Sequence, residues 1–396
     1  MMKTQTRNFL RGLYVFPALI VCLLLFSGCA SIPFASTTSY FRDLYRRIPY
    51  KVDGNYRVIN LFYATDRQQS AAADGSALFG NKIADSLSYQ KLNVRIDPGL
   101  TIGKMLPERL KKHGVIGLQE ASLLDSDAFM KQLSEAVKAS PHNSLLVVVF
   151  GYRDGYEATA IKAAYFAYLL DVNTPVLLFD WPGDQSTSVG GYKKAQAMAE
   201  ASGPQMGELL AKIIREIKPA KLWVKASSLG CQVVCDAFEH MYKYTDMADA
   251  DREIAHVIFA APDVGNEEFE SKFKDEIAAL AEKVTVYVSS NDTALLMSGF
   301  INMDQRLGRQ QIREHEQTEE TKDLLYLKSL DPEKITLIDV TPINKSSYSH
   351  GYYLEDPEFF DDVYTRFFDN KPNVSRRLYL LKYKDNVDYW VMRGGE

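Results

Sequence analysis

The hydrophobic positions of this chain fall into short unbroken apolar runs separated by longer stretches with helical spacing. Ser144–Gly151 carries Leu-Leu-Val-Val-Val-Phe without interruption, bounded by turn residues. A run of that length and make-up suits a strand covered on both faces, as in a parallel sheet. Pro175–Asp180, Lys221–Ser227, His256–Ala261, Lys283–Ser289 and Ile335–Val340 read the same way. Helical stretches stand between or after them, at about 157–170, 192–217, 229–244, 266–281 and 357–368. Gly203-Pro204 is expected to break the second of these. Strand and helix in alternation predict an α/β fold: a mostly parallel, doubly wound sheet with helices on both faces.

Other segments are less regular. Arg57–Ala64 and Leu92–Ile96 read as early strands, joined by a polar loop rich in Ala, Ser and Gly over roughly 66–86. Residues 300–333 are polar and charged, with helical character over Arg309 to Glu320. Lying between two strands, they are either a cap over a site or a solvated excursion. The tail, Arg376 to Arg393, has two aromatic-rich runs around Lys384-Asp385-Asn386 and predicts a β-hairpin. No internal repeat is visible.

The first 28 residues have the pattern of a targeting segment. Lys3, Arg7 and Arg11 precede an almost wholly apolar run, Leu13 to Phe26. That run is short for a membrane span but suits the hydrophobic region of a signal peptide. It ends in Phe26-Ser27-Gly28-Cys29, similar to a bacterial lipobox in which the cysteine is cleaved and lipidated. Cys29 is therefore the expected lipidation site, and acyl chains would hold the protein in a bilayer at roughly 0.8 kcal/mol per buried CH2. The plain alternative is an uncleaved N-terminal anchor. Ala30 follows, and by resemblance to Gram-negative lipoproteins the absence of Asp there favours the outer membrane, facing the periplasm. Residues 29–55 read as a tether, and 56–396 as the folded domain.

Removing the signal leaves 368 of the 396 residues, enough for a substantial core. The net charge of −5, without a basic patch, argues against nucleic acid as a partner. Beyond Cys22 and Cys29 only Cys231 and Cys235 remain, four apart on one helix face. That is poor disulfide geometry, and both read as small core residues. The six histidines are scattered, with no spacing that suggests a metal site, and no cofactor is expected.

The most informative stretch is Trp223-Val224-Lys225-Ala226-Ser227-Ser228-Leu229-Gly230-Cys231. A strand run ends in Ser-Ser-Leu-Gly and a helix run starts at once, the layout of a nucleophile elbow. Crowding at such a turn demands small residues two before and two after the nucleophile. Ala226 and Gly230 meet that demand around Ser228; Lys225 and Leu229 do not around Ser227. A serine needs a base, and the base needs an orienting acid, supplied in chain order Ser, Asp, His from loops at strand ends. Asp292 stands just past the strand ending at Val288, and His350 follows Ile335–Val340. His315, in Glu314-His315-Glu316, reads instead as a solvated face. Asp263, past the strand before, is the alternative acid. The oxyanion hole would use the backbone N–H of Leu229 and, after Phe150-Gly151, that of Tyr152.

From Val58 to Trp390 these motifs resemble a family of bacterial lipoproteins and secreted proteins with an α/β-hydrolase fold and mostly unknown function. The resemblance rests on Phe62-Tyr63-Ala64-Thr65-Asp66-Arg67, Phe150-Gly151-Tyr152-Arg153, Phe179-Asp180-Trp181-Pro182, the elbow, Ala260–Val264, Tyr287–Asp292 and His350. It implies a triad of Ser228, Asp292 and His350. Phe150 and Ser227 each stand where the family has His. Two functions follow as expectations. One is a lipid-anchored serine hydrolase of esterase or lipase type, acting on an acyl-ester small molecule or lipid. The other is a catalytically degenerate envelope protein that keeps the fold as a binding scaffold. Nothing in the sequence speaks to the oligomeric state.

Overall fold

A computed structural model describes residues 51–71, 77–100, 107–244, 247, 253–309, 335–368, 378–382 and 388–392. The expected signal segment, Cys29, the tether up to residue 50 and residues 310–333 of the charged excursion lie outside them.

The strands are β1 (Lys51–Asp53), β2 (Tyr56–Ala71), β3 (Ala77–Ile96), β4 (Ile116–Leu124), β5 (Ser144–Val149), β6 (Val176–Asp180), β7 (Lys221–Ser227), β8 (His256–Ala260), β9 (Val284–Val288), β10 (Ile335–Asp339), β11 (Leu378–Lys382) and β12 (Asp388–Met392). Among the described residues they form one sheet in the order β11-β12-β10-β9-β8-β7-β5-β6-β2-β3-β4, with β1 beside β2. From β12 to β2 every pairing is parallel. Antiparallel pairs finish both edges, β11 on β12 at one end and β2-β3-β4 at the other. The tail hairpin is thus the last pair of the sheet. The end of the expected tether, Lys51–Asp53, lies against the domain as β1, paired with β2.

Each face of the sheet carries its own core, and β5 shows why its sequence is unbroken. Leu145, Val147 and Val149 pack with Phe129, Leu210 and Phe238 on one face. Leu146, Val148 and Phe150 pack with Phe166, Trp223 and Phe359 on the other. Alternate residues of a strand point to opposite faces, so a strand covered on both sides must be apolar throughout. The α/β architecture expected from the pattern is therefore the one observed.

Two local expectations are corrected. Residues 66–86 are not a polar loop: 66–71 and 77–86 continue β2 and β3 as a long antiparallel arm. Much of it is exposed and polar, as at Gln68, Gln69, Asn81 and Lys82, but its base carries buried polar groups. Thr65, Asp66 and Arg67 are fully buried, and the Arg67 guanidinium bonds Asp180 at 2.8 Å, Asp184 at 2.6 Å and the carbonyls of Gly80 and Asp154. Hydropathy cannot see an exposed antiparallel arm, nor a buried arginine held by ion pairs. Nor does Gly203-Pro204 end a helix, which runs unbroken over Val189–Glu216. Gly203 and Gly207, one turn apart, lie where this helix meets Gly230–Tyr244; a Cβ on Gly203 would come within 2.4 Å of the Asp236 Cβ. The glycine serves close helix packing.

Candidate active site

The site stands at the carboxyl ends of β5, β7, β9 and β10, where loops leave a parallel sheet and side chains converge. β7 ends at Ser227 and the helix Gly230–Tyr244 starts two residues after Ser228. Ser228 occupies the turn in the left-handed region, with φ of 53°. For a residue with a Cβ that conformation costs on the order of 1 kcal/mol, and the turn is pinned from both sides. The Ser228 N–H donates to Ala260 O at 3.0 Å, and its carbonyl accepts from Asp263 N at 3.2 Å. Small neighbours are obligatory: a Cβ on Gly230 would meet Phe150 O at 2.6 Å. Of the two serines, Ser227 is wholly buried and Ser228 is 9% exposed.

His350 arrives on a loop with two successive left-handed residues, Tyr348 and Ser349. Asn344 straps that loop to the one after β9: its Nδ2 donates to Ser289 Oγ at 2.8 Å and to the Ser349 carbonyl. The imidazole ends with Nε2 3.0 Å from Ser228 Oγ and Nδ1 2.7 Å from Asp292 Oδ2. The second Asp292 oxygen accepts the Leu295 N–H at 2.9 Å, capping the helix Thr293–Asn302. Burial alone would push the His350 pKa down. The Asp292 carboxylate, by charge and by hydrogen bond, more than offsets this, so the pKa lies above the ordinary imidazole value.

Asp263, the alternative acid, is engaged elsewhere. It accepts from Arg306 Nε at 2.7 Å, Tyr192 Oη at 2.8 Å and Ser298 Oγ at 2.6 Å. The imidazole's hydrogen bond goes to Asp292.

The loop after β5 runs against the elbow. A Cβ on Gly151 would stand 2.6 Å from the Ser228 Cβ. Trp181 Nε1 holds the loop from behind, donating to Phe150 O at 2.7 Å. The Tyr152 hydroxyl donates to Ser186 O, and its ring meets Tyr192 edge-on at 5.8 Å. Among the described residues, the Leu229 and Tyr152 N–H groups donate no hydrogen bond to a protein acceptor.

One residue at the site was not singled out as a functional candidate from the sequence. Lys225 is fully buried on β7, its Nζ 3.1 Å from Ser227 Oγ and 4.5 Å from the centre of the Phe150 ring. Its position at i−2 from Ser227 was a signal, because i and i−2 share a face of a strand. Cys231 and Cys235 are buried free thiols, in keeping with a core role.

The model of a family described as "Alpha/beta hydrolase of unknown function (DUF900)" matches residues 125–366, more than half of the chain. The chain belongs to that family. The span takes in Ser228, Asp292 and His350, and leaves the β2-β3 arm and the tail hairpin outside. No curated protein matches at a significant level. Among solved structures, a poly(3-hydroxybutyrate) depolymerase from Bordetella parapertussis is 15% identical, with a TM-score of 0.35 over 78% of this chain and 92% of that one. Esterase 2 of Thermogutta terrifontis, phosphonylated by cyclosarin, is 11% identical, with a TM-score of 0.31 over 75% and 95%. A protein described as a hydrolase from Legionella pneumophila is 9% identical, with a TM-score of 0.22 over 82% of each.

Proposed function

We propose that this α/β hydrolase is a serine hydrolase of esterase or lipase type, held in the cell envelope by lipid on Cys29. The observation that carries the reading is the single line of contacts from Asp292 through His350 to Ser228, at 2.7 Å and 3.0 Å. Ser228 Oγ attacks an acyl carbonyl while His350 Nε2 takes its proton, and a tetrahedral oxyanion forms. The Leu229 and Tyr152 amides donate to no protein acceptor among the described residues, and the oxyanion is assigned to them. The carbon–oxygen bond to the leaving alcohol then breaks, with His350 returning the proton to that alcohol. Water, activated by the same imidazole, releases the acid and restores Ser228. Asp292 holds the ring and balances its charge.

The test is labelling of the full chain, in detergent, by a fluorophosphonate probe. Label on the parent protein, absent from Ser228→Ala, is expected, together with hydrolysis of short p-nitrophenyl esters that disappears in His350→Ala. An unlabelled parent, or equal label on Ser228→Ala, sinks the reading and leaves a binding scaffold. For the anchor, metabolic incorporation of an alkyne-bearing palmitate into the parent but not into Cys29→Ser is expected. Equal incorporation in both refutes it.

A further inference from the structure

Among the described residues Lys225 is the one fully buried lysine; it stands beside the elbow, and the serine mechanism makes no use of it. Its amine is surrounded by ring faces: Phe150 at 4.5 Å, Tyr353 at 4.6 Å and Phe166 at 4.9 Å. The only side-chain oxygen bonded to it among the described residues is Ser227 Oγ. Phe150 precedes Gly151, and Ser227 precedes Ser228. One amine therefore touches both segments that frame the reacting atoms.

We propose that Lys225 is a positioning residue, its ammonium tying the oxyanion loop to the nucleophile elbow by holding the Phe150 ring and the Ser227 hydroxyl together. This rests on the serine-hydrolase reading above. Its force comes from the lack of slack at the contact, where Gly151 leaves no room for even a methyl group against Ser228. A shift of a few tenths of an ångström in Phe150 moves the Tyr152 amide relative to the serine. An ammonium over aromatic faces holds such a contact, and an uncharged amine loses the attraction of the ring faces.

The clamp is therefore sensitive to pH. Burial in the apolar cage pushes the Lys225 pKa down to about 7; the nearby Cys231 thiol raises it and the Lys162 ammonium lowers it further. Burial pushes both the Cys231 thiol and the Tyr353 phenol up, and Lys162 is ion-paired to Asp154 at 2.7 Å. His350, whose ring meets Tyr353 edge-on at 6.1 Å, titrates in the opposite functional sense. Loss of its proton turns the base on, whereas loss of the Lys225 proton loosens the clamp. The rate at Ser228 should rise with pH through the histidine and fall through the lysine.

The experiment is the rate of fluorophosphonate labelling of Ser228, followed from about pH 5 to about pH 9, in the parent, Lys225→Met and Phe150→Leu. The parent should show both limbs. Lys225→Met should keep the rising limb, lose the falling one, and react about tenfold more slowly at acid pH, a fraction of the 10²–10³ that losing an oxyanion donor costs. Phe150→Leu removes one ring, so its falling limb should move to lower pH. A falling limb retained in Lys225→Met, or unmoved in Phe150→Leu, overturns the proposal while leaving Ser228 as the nucleophile. A parent that takes no label at any pH overturns the serine reading itself. Should Lys225→Met not fold, the Phe150→Leu profile decides.

Discussion

Gly151 and Ser228 approach so closely that a Cβ on the glycine would stand 2.6 Å from the serine Cβ and 3.0 Å from its Oγ. The loop and the elbow are thereby one structural unit. Gly151→Ala should reduce kcat/KM on a p-nitrophenyl ester by about 10²-fold, because the loop must retreat and carry its amide with it. Far-UV circular dichroism should be unchanged. A variant within twofold of the parent would mean that the loop has slack after all.

The two acids near the site should separate cleanly under mutation. Asp292→Asn leaves the imidazole without its charge partner and should lower kcat by about 10⁴-fold. The rising limb of the pH profile should move to lower pH, since the carboxylate is what raises the His350 pKa. The sign for stability follows. The folded imidazole holds its proton more tightly than the unfolded one, so this contribution is full below about pH 6.5. It is lost as pH rises through the raised folded value. Thermal melts of the parent and Asp292→Asn should therefore converge on the alkaline side.

Asp263→Asn should do the reverse. It takes from the buried Arg306 its nearest carboxylate and leaves only Asp304 at 3.8 Å, so the cost should approach the roughly 3–5 kcal/mol of a broken buried pair. A melting temperature lower by several degrees, with turnover per folded molecule within about tenfold of the parent, is expected from denaturation scans and active-site titration.

Asp66 should make the protein alkali-sensitive. Its carboxyl is fully buried and faces the Ser202 hydroxyl too loosely to satisfy either group. Burial, with the Asp180 charge adding to it, raises its pKa to about 7. A carboxyl that keeps its proton longer when folded adds stability below its unfolded pKa of about 4 and loses it as pH rises to the folded value. Asp66→Asn should melt higher than the parent at pH 8 and gain nothing at pH 4; a gain independent of pH would refute the assignment.

Gly203→Ala should destabilise by about 1–3 kcal/mol through overpacking, since its Cβ would collide with that of Asp236. Urea denaturation would show it. Activity of the folded fraction should be unaffected, because the contact lies on helices behind the elbow.

The central strands were legible because burial on both faces forces an apolar run, and β7 was read to the residue. Ser228 and Asp292 could be read because each stands just past such a run, and His350 because it follows the run Ile335–Asp339 in the chain, on a longer loop. What escaped were elements held by polar contacts. The arm around Arg67 looks like a loop until its ion pairs are known. β4 is exposed along most of its length, so it carries no apolar signature. The helix Thr293–Asn302 begins on the Asp292 side chain, and a residue weighed as an acid or a turn-former hid its role as a cap. Lys225 escaped because a lysine in a strand is ordinarily taken to reach for solvent.

The left-handed backbone at Ser228 has a consequence over evolutionary time. Glycine adopts that conformation without strain, so replacing the serine would relax the turn and make the protein more stable. Mutational drift at this position thus runs downhill toward a sturdier, inert molecule. A serine that persists there does so against the pull of folding, which makes its hydroxyl, and not the fold, the thing selection would have to be holding.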